Sequence, residues 1–336
     1  MVKYSKKEKQ ALDYYFPEIC ISNKTILILG STSFVGLNLV RLLINLDMKG
    51  AIVLSKIILQ CRDKDKFPKH QLEYICKSVN FEIIECQIQA INQTISKTKI
   101  HYLFNFLNYN DDSIKSRQLF ENLNFFKHVI EFCSNRSVEN FLFTSSGAAF
   151  GNDKSFIEND EVYFQTTNRN LYYGLSKVII ENLIEELSVL NSTSVRLFSF
   201  IGPYMNLEST AGGQIIKSVL NNTDFNLNNK GKVYRSYMHS TELSLCLLKL
   251  ALELNKNCKK TYNLGSNKPI SIAETYNIAC EYLDQQPKLK ISGNIKFDDF
   301  YVPITNAIEE KIRRKEFFDM KDKLSITLDY YKNASC

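Results

Sequence analysis

The chain has 336 residues, of which 44% are hydrophobic and 23% charged, a balance that excludes a disordered chain outside the ends. Its formal charge of +6 is mild and spread out, and the densest basic runs, Lys6 to Lys9 and Lys311 to Lys315, read as solvated faces, so no nucleic-acid partner is expected. Nine scattered cysteines without a Cys-x-x-Cys pair, and four histidines without ligand spacing, exclude a disulfide framework and a zinc site; the thiols are expected reduced and mostly buried, with no metal bound.

The charged start, Met1 to Lys9, is not followed by an apolar stretch of signal-peptide length, and no segment approaches membrane-spanning length. A cytoplasmic protein with no membrane partner is therefore expected. From there short β-branched runs alternate with helical patterns, the rhythm of a parallel sheet covered by helices. The expected strands are Thr25 to Leu29, Lys56 to Cys61, Phe81 to Glu85, Tyr102 to Phe106, Asn140 to Ser145 and Ser194 to Leu197. Apolar residues near helical period predict a long helix over Ser113 to Cys133, and a second should cover Leu171 to Leu190. After Gly202-Pro203 the alternation breaks down and Asn-rich loops appear around Asn221 to Asn229.

Within this order, Ile26 to Gly36 sets a buried strand, a tight turn and a helix start in sequence. Backbone N–H groups at such a helix N-terminus attract a pyrophosphate, so the segment points to dinucleotide binding by Gly30, Thr32, Ser33, Phe34, Val35 and Gly36. Gly30 permits the turn and Gly36 lets the helix approach the sheet. Ser33 stands where the usual pattern has its middle glycine; its Cβ narrows the phosphate approach while its hydroxyl offers a donor. The second strand ordinarily ends in an acidic residue that holds the ribose hydroxyls of NAD. Here Cys61 lies near that position, followed by Arg62, which suits a 2′-phosphate. NADP(H) is thus preferred, with NAD(H) as the alternative, since a one-residue shift in register brings Asp63 to the same place.

Tyr173 and Lys177 are four residues apart, so a helix stacks them on one face and sets an ammonium beside a phenol. A neighbouring cation favours the phenolate, which brings proton transfer by the tyrosine within range of neutral pH.

Together the glycine turn, the Tyr173/Lys177 pair and the strand end Phe143-Thr144-Ser145-Ser146-Gly147 resemble the extended short-chain dehydrogenase/reductases, most of all the NAD-dependent epimerase/dehydratase family that modifies nucleotide sugars. Later landmarks extend the likeness from about Lys24 to Tyr331: Arg196-Leu197-Phe198, Gly202-Pro203-Tyr204, Tyr234 to His239, and Tyr262 to Ser266. The resemblance implies an α/β fold, a Rossmann-type doubly wound parallel sheet with a smaller C-terminal substrate-binding lobe. It divides the chain into an N-terminal extension over 1–22, a dinucleotide-binding domain carrying the reacting residues over 23–200, and mainly a substrate-binding lobe over 201–336. By position, Ser146 would hydrogen-bond the reacting sugar oxygen, Tyr173 would exchange a proton with it, and Lys177 would hold the nicotinamide ribose. Asn105 would lie with the cofactor, Arg235 near the nucleotide phosphates, and Ser146, Gly147 and Ala148 along the sugar. Asn122 matches a helix asparagine of mainly structural role, and His239 reads as a packing or capping residue.

Departures from the family narrow the reaction. Sugar 4,6-dehydratases carry an acidic pair directly after the active-site hydroxyl, where this chain has Gly147 and Ala148, and Ala148-Ala149-Phe150 supplies no cysteine of the kind used to epimerise carbons 3 and 5. Ser199 stands where many relatives have an asparagine near the phosphates. What remains is hydride chemistry at one carbon. The first reading is reduction by NADPH of the C4 ketone of a nucleoside-diphosphate 4-keto-6-deoxy sugar, a 4-ketoreductase. The second is an NAD-dependent nucleotide-sugar 4-epimerase, and a third is a nucleotide-binding partner without catalysis. The resemblance also implies a homodimer joined through the two long helices as a four-helix bundle, with Phe125 or Phe126 at the contact, and a place in surface polysaccharide synthesis.

Overall fold

A computed structural model describes residues 4–15, 19–95, 98–109, 114–136, 138–151, 171–186, 191–229, 233–258, 261–286, 288–295 and 299–334. Seven parallel strands form the central sheet: β1 Thr25–Leu29, β2 Lys56–Cys61, β3 Phe81–Glu85, β4 Ile100–Asn105, β5 Val138–Ser146, β6 Asn191–Leu197 and β7 Thr261–Leu264. Their spatial order is β7-β6-β5-β4-β1-β2-β3. The order reverses beside β1, which pairs with β2 on one side and β4 on the other. In an open parallel sheet, ligands bind beyond the carboxyl ends of the strands at that point.

Covering both faces with helices demands apolar side chains on both faces of a strand. The run Ile26-Leu27-Ile28-Leu29 meets that demand, since all four side chains are fully buried. Ile26 and Ile28 belong to a core shared with helices α1 Lys6–Tyr15, α2 Phe34–Met48 and α6 Ser240–Leu252. Leu27 and Leu29 belong to the core on the opposite face, shared with α3 Lys115–Asn135 and α4 Leu171–Glu186. The two long helices thus lie close to their expected spans; Ser113 and residues 187–190 fall outside the described residues. On α3, Phe126 is the phenylalanine that faces the sheet, buried with its ring centroid 6.0 Å from that of Phe143. Phe125 is half-buried beside Tyr109.

The second half of the chain does more than form a lobe. It returns to the sheet, where β7 extends β6 in parallel register from Thr261 opposite Ser194 to Leu264 opposite Leu197. The short run Tyr262-Asn263-Leu264, met in the sequence only as a landmark, is therefore the seventh strand. Beyond the sheet, α5 Ala211–Leu220, α7 Ile272–Tyr282 and α8 Met320–Ala334 build a separate core around Ile215, Ile216, Tyr276, Leu324 and Leu328. A small sheet beside this core pairs Val233–Arg235 in parallel with Asp299–Tyr301 and antiparallel with Ile270–Ser271.

At the N-terminal end, α1 packs against α6 and meets α2 through Glu8. Glu8 is buried there, within 2.7 Å of the Arg41 guanidinium, and accepts a second bond from the Thr241 hydroxyl at 2.7 Å. Burial alone would raise the Glu8 pKa, but Arg41, then the neighbouring His239, and the bonds from Arg41 and Thr241 together hold it down to about 2. Of the eight cysteines described, Cys61, Cys133, Cys246 and Cys280 are buried whereas Cys20 and Cys76 are exposed, so the expected burial holds for half of them. Among the described residues no helix is long and apolar enough to cross a membrane.

Candidate active site

β1 ends at Leu29 and the chain turns at Gly30, whose φ of +72° lies in the region that glycine adopts without strain. Gln60 at the end of β2 ties the turn down: its side chain accepts from the Gly30 N–H at 3.0 Å, and its carbonyl accepts from the Ser31 hydroxyl at 2.8 Å. Ser33 then caps α2, its hydroxyl accepting from the Gly36 N–H at 3.1 Å. The hydroxyl that replaces the usual middle glycine therefore closes the first turn of the helix and keeps its own proton for a ligand. At Gly36 a Cβ would lie 2.5 Å from the Gly30 carbonyl oxygen, so only glycine lets the helix come this close to the turn.

Ser33, Phe34 and Val35 line a cleft of about 440 Å³ at the carboxyl ends of the strands. Gly30 and Gly36 shape this wall and, like Thr32, do not line it. Asn105 is also placed differently from the expectation: it is buried below the cleft, and its side chain accepts from the Leu107 N–H at 3.1 Å, closing its own turn. Phe106 and Asn108, just beyond it, line the cleft instead. Asn122 on α3 fastens the same segment, accepting from the Tyr109 N–H at 2.8 Å, in keeping with a structural role.

The reacting end is built by β5 and α4. Thr144, Ser145 and Ser146 at the end of β5 line the cleft together with Tyr173 and Lys177 from the first two turns of α4. The Ser146 hydroxyl accepts from the Ala148 N–H at 3.1 Å and lies near enough to the Tyr173 phenol to lower its pKa. Lys177, buried, donates to the Thr144 carbonyl at 3.2 Å, and its nitrogen lies 5.4 Å from the centre of the Tyr173 ring. The i, i+4 spacing thus brings the pair together, but burial changes its electrostatics. Burial raises the Tyr173 pKa, and the nearby Ser146 hydroxyl offsets only part of this. The same burial lowers Lys177 to about 8, against the pull of Glu181. The expectation of a phenol made more acidic does not hold: burial raises the Tyr173 pKa, and the phenol stays protonated at neutral pH.

Across the cleft stand Arg235, Tyr237 and the first residues of α5, Ala211 and Gly212. The Tyr237 hydroxyl is buried without a protein partner among the described residues. Tyr301 and Phe198 complete this wall. Gly147 and Ala148 form the turn directly after Ser146, beside the lining residues. Arg62 is exposed just past β2, whereas Asp63 spends its carboxylate on its own turn, accepting from the Asp65 N–H at 3.0 Å. His239 caps α6, its Nδ1 accepting from the Thr241 N–H at 3.3 Å, and is fully buried, as a capping residue should be. Sequence reasoning did not single out Asn108, Phe198, Tyr237 or Tyr301 as lining residues; Tyr237 and Phe198 lay inside runs already noted, while nothing near Tyr301 marked it.

The model of the NAD dependent epimerase/dehydratase family matches residues 26–265, from β1 through β7 and every residue lining this cleft except Tyr301. The chain belongs to this family. No curated protein matches it in sequence. Among solved structures it is similar to UDP-glucose 4-epimerase from Thermotoga maritima, with 17% identity, a TM-score of 0.76, and 93% of this chain and 100% of that chain covered. It is similar to UDP-N-acetylglucosamine 4-epimerase from Methanobrevibacter ruminantium, with 15% identity, a TM-score of 0.77, and 94% and 100% covered. A third, dTDP-glucose 4,6-dehydratase from Bacillus anthracis in complex with NAD, shares 16% identity with a TM-score of 0.76 over 92% and 97%. At these identities the likeness is one of fold. For an NAD dependent epimerase/dehydratase, the glycine-shaped cradle at Gly30 and Gly36 under the capped start of α2 fits a dinucleotide pyrophosphate.

Proposed function

We propose that the protein is an NADP(H)-dependent 4-ketoreductase acting on a nucleoside-diphosphate 4-keto-6-deoxy sugar, with Ser146, Tyr173 and Lys177 as its reacting residues. The observation that carries this reading is the meeting of these three side chains on one cleft, with Gly147 and Ala148 directly after Ser146. The bound dinucleotide supplies hydride. Tyr173, kept protonated by burial, is suited to give its proton to the ketone oxygen, and Ser146 to donate a hydrogen bond to the same atom. Lys177 holds the nicotinamide ribose and returns charge balance as the phenol loses its proton. Neither Gly147 nor Ala148 can exchange a proton, so these two positions offer no acid or base for removing water across neighbouring carbons.

Arg235, the buried Tyr237 hydroxyl and the start of α5 offer donors to the sugar nucleotide's diphosphate. Exposed Arg62, with Asp63 occupied by its own turn, supports a 2′-phosphate on the adenosine ribose. In this division residues 23–200 serve the dinucleotide and 201–336 mainly the sugar nucleotide, β7 excepted. Phe120 on α3 and Leu183 on α4, 68% and 46% exposed, favour a homodimer through these two helices. A second reading, an NAD-dependent 4-epimerase, is favoured by the likeness to the two 4-epimerases.

The test is to mix the protein with NADPH and a panel of nucleoside-diphosphate 4-keto-6-deoxy sugars, following cofactor absorbance and sugar products. Stoichiometric oxidation with one sugar is expected, and Tyr173→Phe should slow it at least ~100-fold. No oxidation, with NAD released on denaturing the purified protein and 4-epimers formed, replaces the reductase with the epimerase.

A further inference from the structure

The landmark Gly202-Pro203-Tyr204 has no part in the reaction as proposed, yet it marks where the two sides of the cleft are joined. The chain leaves the central sheet after β6 and turns here before it builds the wall that faces the dinucleotide cradle. Met205, Asn206 and the run Ser209 to Gly212, which follow the turn, line the cleft. Tyr204 takes a φ of +68°, in the left-handed region that side chains rarely adopt. Such a conformation persists only where its surroundings over-determine it.

The turn is tied from both sides. The Tyr331 hydroxyl on α8 donates to the Met205 carbonyl at 2.7 Å. The Tyr204 hydroxyl lies 3.3 Å from His70 Nε2 on the short helix Lys69–Ile75, and its ring meets that of Tyr330 edge-on, 5.2 Å between centroids. A further tie is Asn38, buried on α2 one turn beyond the helix start. Its amide nitrogen donates to the Pro203 carbonyl at 2.9 Å and to the Phe34 carbonyl at 3.0 Å. An amide nitrogen has two hydrogens to give, so one group serves both carbonyls. Phe34 is the first residue of α2 and lines the cleft beside Ser33. One side chain thus grips the first turn of the dinucleotide helix and the turn from which the opposite wall hangs.

We infer that Asn38 is a positioning residue that couples the two ligands of the cleft: it ties the pyrophosphate cradle to the sugar-nucleotide wall, so that seating one ligand orders the site for the other. The inference rests on the reading above, in which a dinucleotide and a sugar nucleotide share this cleft. A pyrophosphate that fixes the first turn of α2 fixes the Phe34 carbonyl, and through the shared amide the Pro203 carbonyl as well. The sugar nucleotide then meets a wall already in place. Linkage makes the effect reciprocal.

The test is calorimetry on the full chain, titrating UDP, dTDP, GDP and CDP with and without saturating dinucleotide, NADPH or NADH according to which binds. In the parent protein the dinucleotide should tighten the preferred diphosphate at least about fivefold, the lower end of ordinary coupling between sites. In Asn38→Leu, of similar size and without donors, the factor should fall below about twofold. Asn38→Ser keeps a donor to the Phe34 carbonyl four residues back but is too short for Pro203. It should lose the coupling as well, and it carries the test if the leucine variant does not fold. An asparagine of merely structural role would lower the urea midpoint of these variants and leave the factor at its parent value, which overturns the inference. Independent binding of the two ligands by the parent overturns it too, with the sugar-nucleotide reading left standing. Failure of all four diphosphates to bind overturns that reading and the inference together.

Discussion

The Lys177 ammonium donates to the Thr144 carbonyl at the end of β5 while lying against the Tyr173 ring on its own helix. Strand and helix are thereby joined by the charge on which the site depends. Because burial, opposed by Glu181, lowers Lys177 to about 8, that charge is complete below pH 8 and lost above it. kcat/KM, which reports the free enzyme, should therefore fall as pH rises through about 8. Lys177→Arg, permanently charged, should remove this limb while lowering the rate. A parent profile that stays flat well past this pH counts against Lys177 as the titrating group.

Arg62→Ala tests the cofactor preference. Loss of one charge-assisted contact to a 2′-phosphate should weaken NADPH binding about 10-fold or more and leave NADH within about twofold. Titrating both cofactors into both proteins decides the matter, since equal losses remove Arg62 from 2′-phosphate recognition.

Gly36→Ala sets a Cβ against two backbone carbonyl oxygens, at 2.5 Å from Gly30 and 2.7 Å from Ser31. Backbone cannot step aside as a flexible side chain does. A loss of about 1–3 kcal/mol in stability is expected from such overpacking, with weaker binding of either dinucleotide. Equilibrium urea unfolding and fluorescence titration measure the two effects, and an alanine variant equal to the parent in both would refute the close approach.

Glu8→Gln leaves the Arg41 guanidinium buried without its counter-charge, a change that typically costs about 3–5 kcal/mol. The parent protein should lose the same support in acid. Burial opposes the Glu8 charge, but Arg41 and its other partners hold its folded pKa near 2, below the ordinary 4.5. The stabilisation is therefore present above about pH 4.5 and drains away as pH falls toward 2. Urea midpoints of parent and variant should differ at pH 7 and converge in this window. A constant difference down to pH 2 would mean that Glu8 does not carry it.

Much of the frame was readable from local chemistry. The apolar run Ile26 to Leu29 announces a strand buried on both faces, and Gly30, Ser33 and Gly36 carry the turn, the cap and the close approach in their own side chains. The four-residue spacing of Tyr173 and Lys177 predicts their contact for the same reason. What was not readable depends on neighbours distant in sequence. Asn105 has the residue type for a ligand contact but folds back on its own turn. The direction of the Tyr173 pKa follows from the depth of the cleft, which no spacing encodes. Tyr301 reaches Gly147 only because its strand pairs with that of Arg235, and β7 is too short to announce itself beside the long strands it completes.

The place of β7 bears on how the chain comes off the ribosome. β6 lies inside the finished sheet, yet its outer partner is made only after the substrate-side loops and α6 have emerged. Until residues 261–264 arrive, the nascent chain presents the unpaired N–H and C=O groups of β6, an open template for strands of other chains. Nascent chains halted between residues 197 and 261 should thus be the aggregation-prone species, and release of Thr261–Leu264 the event that seals the sheet.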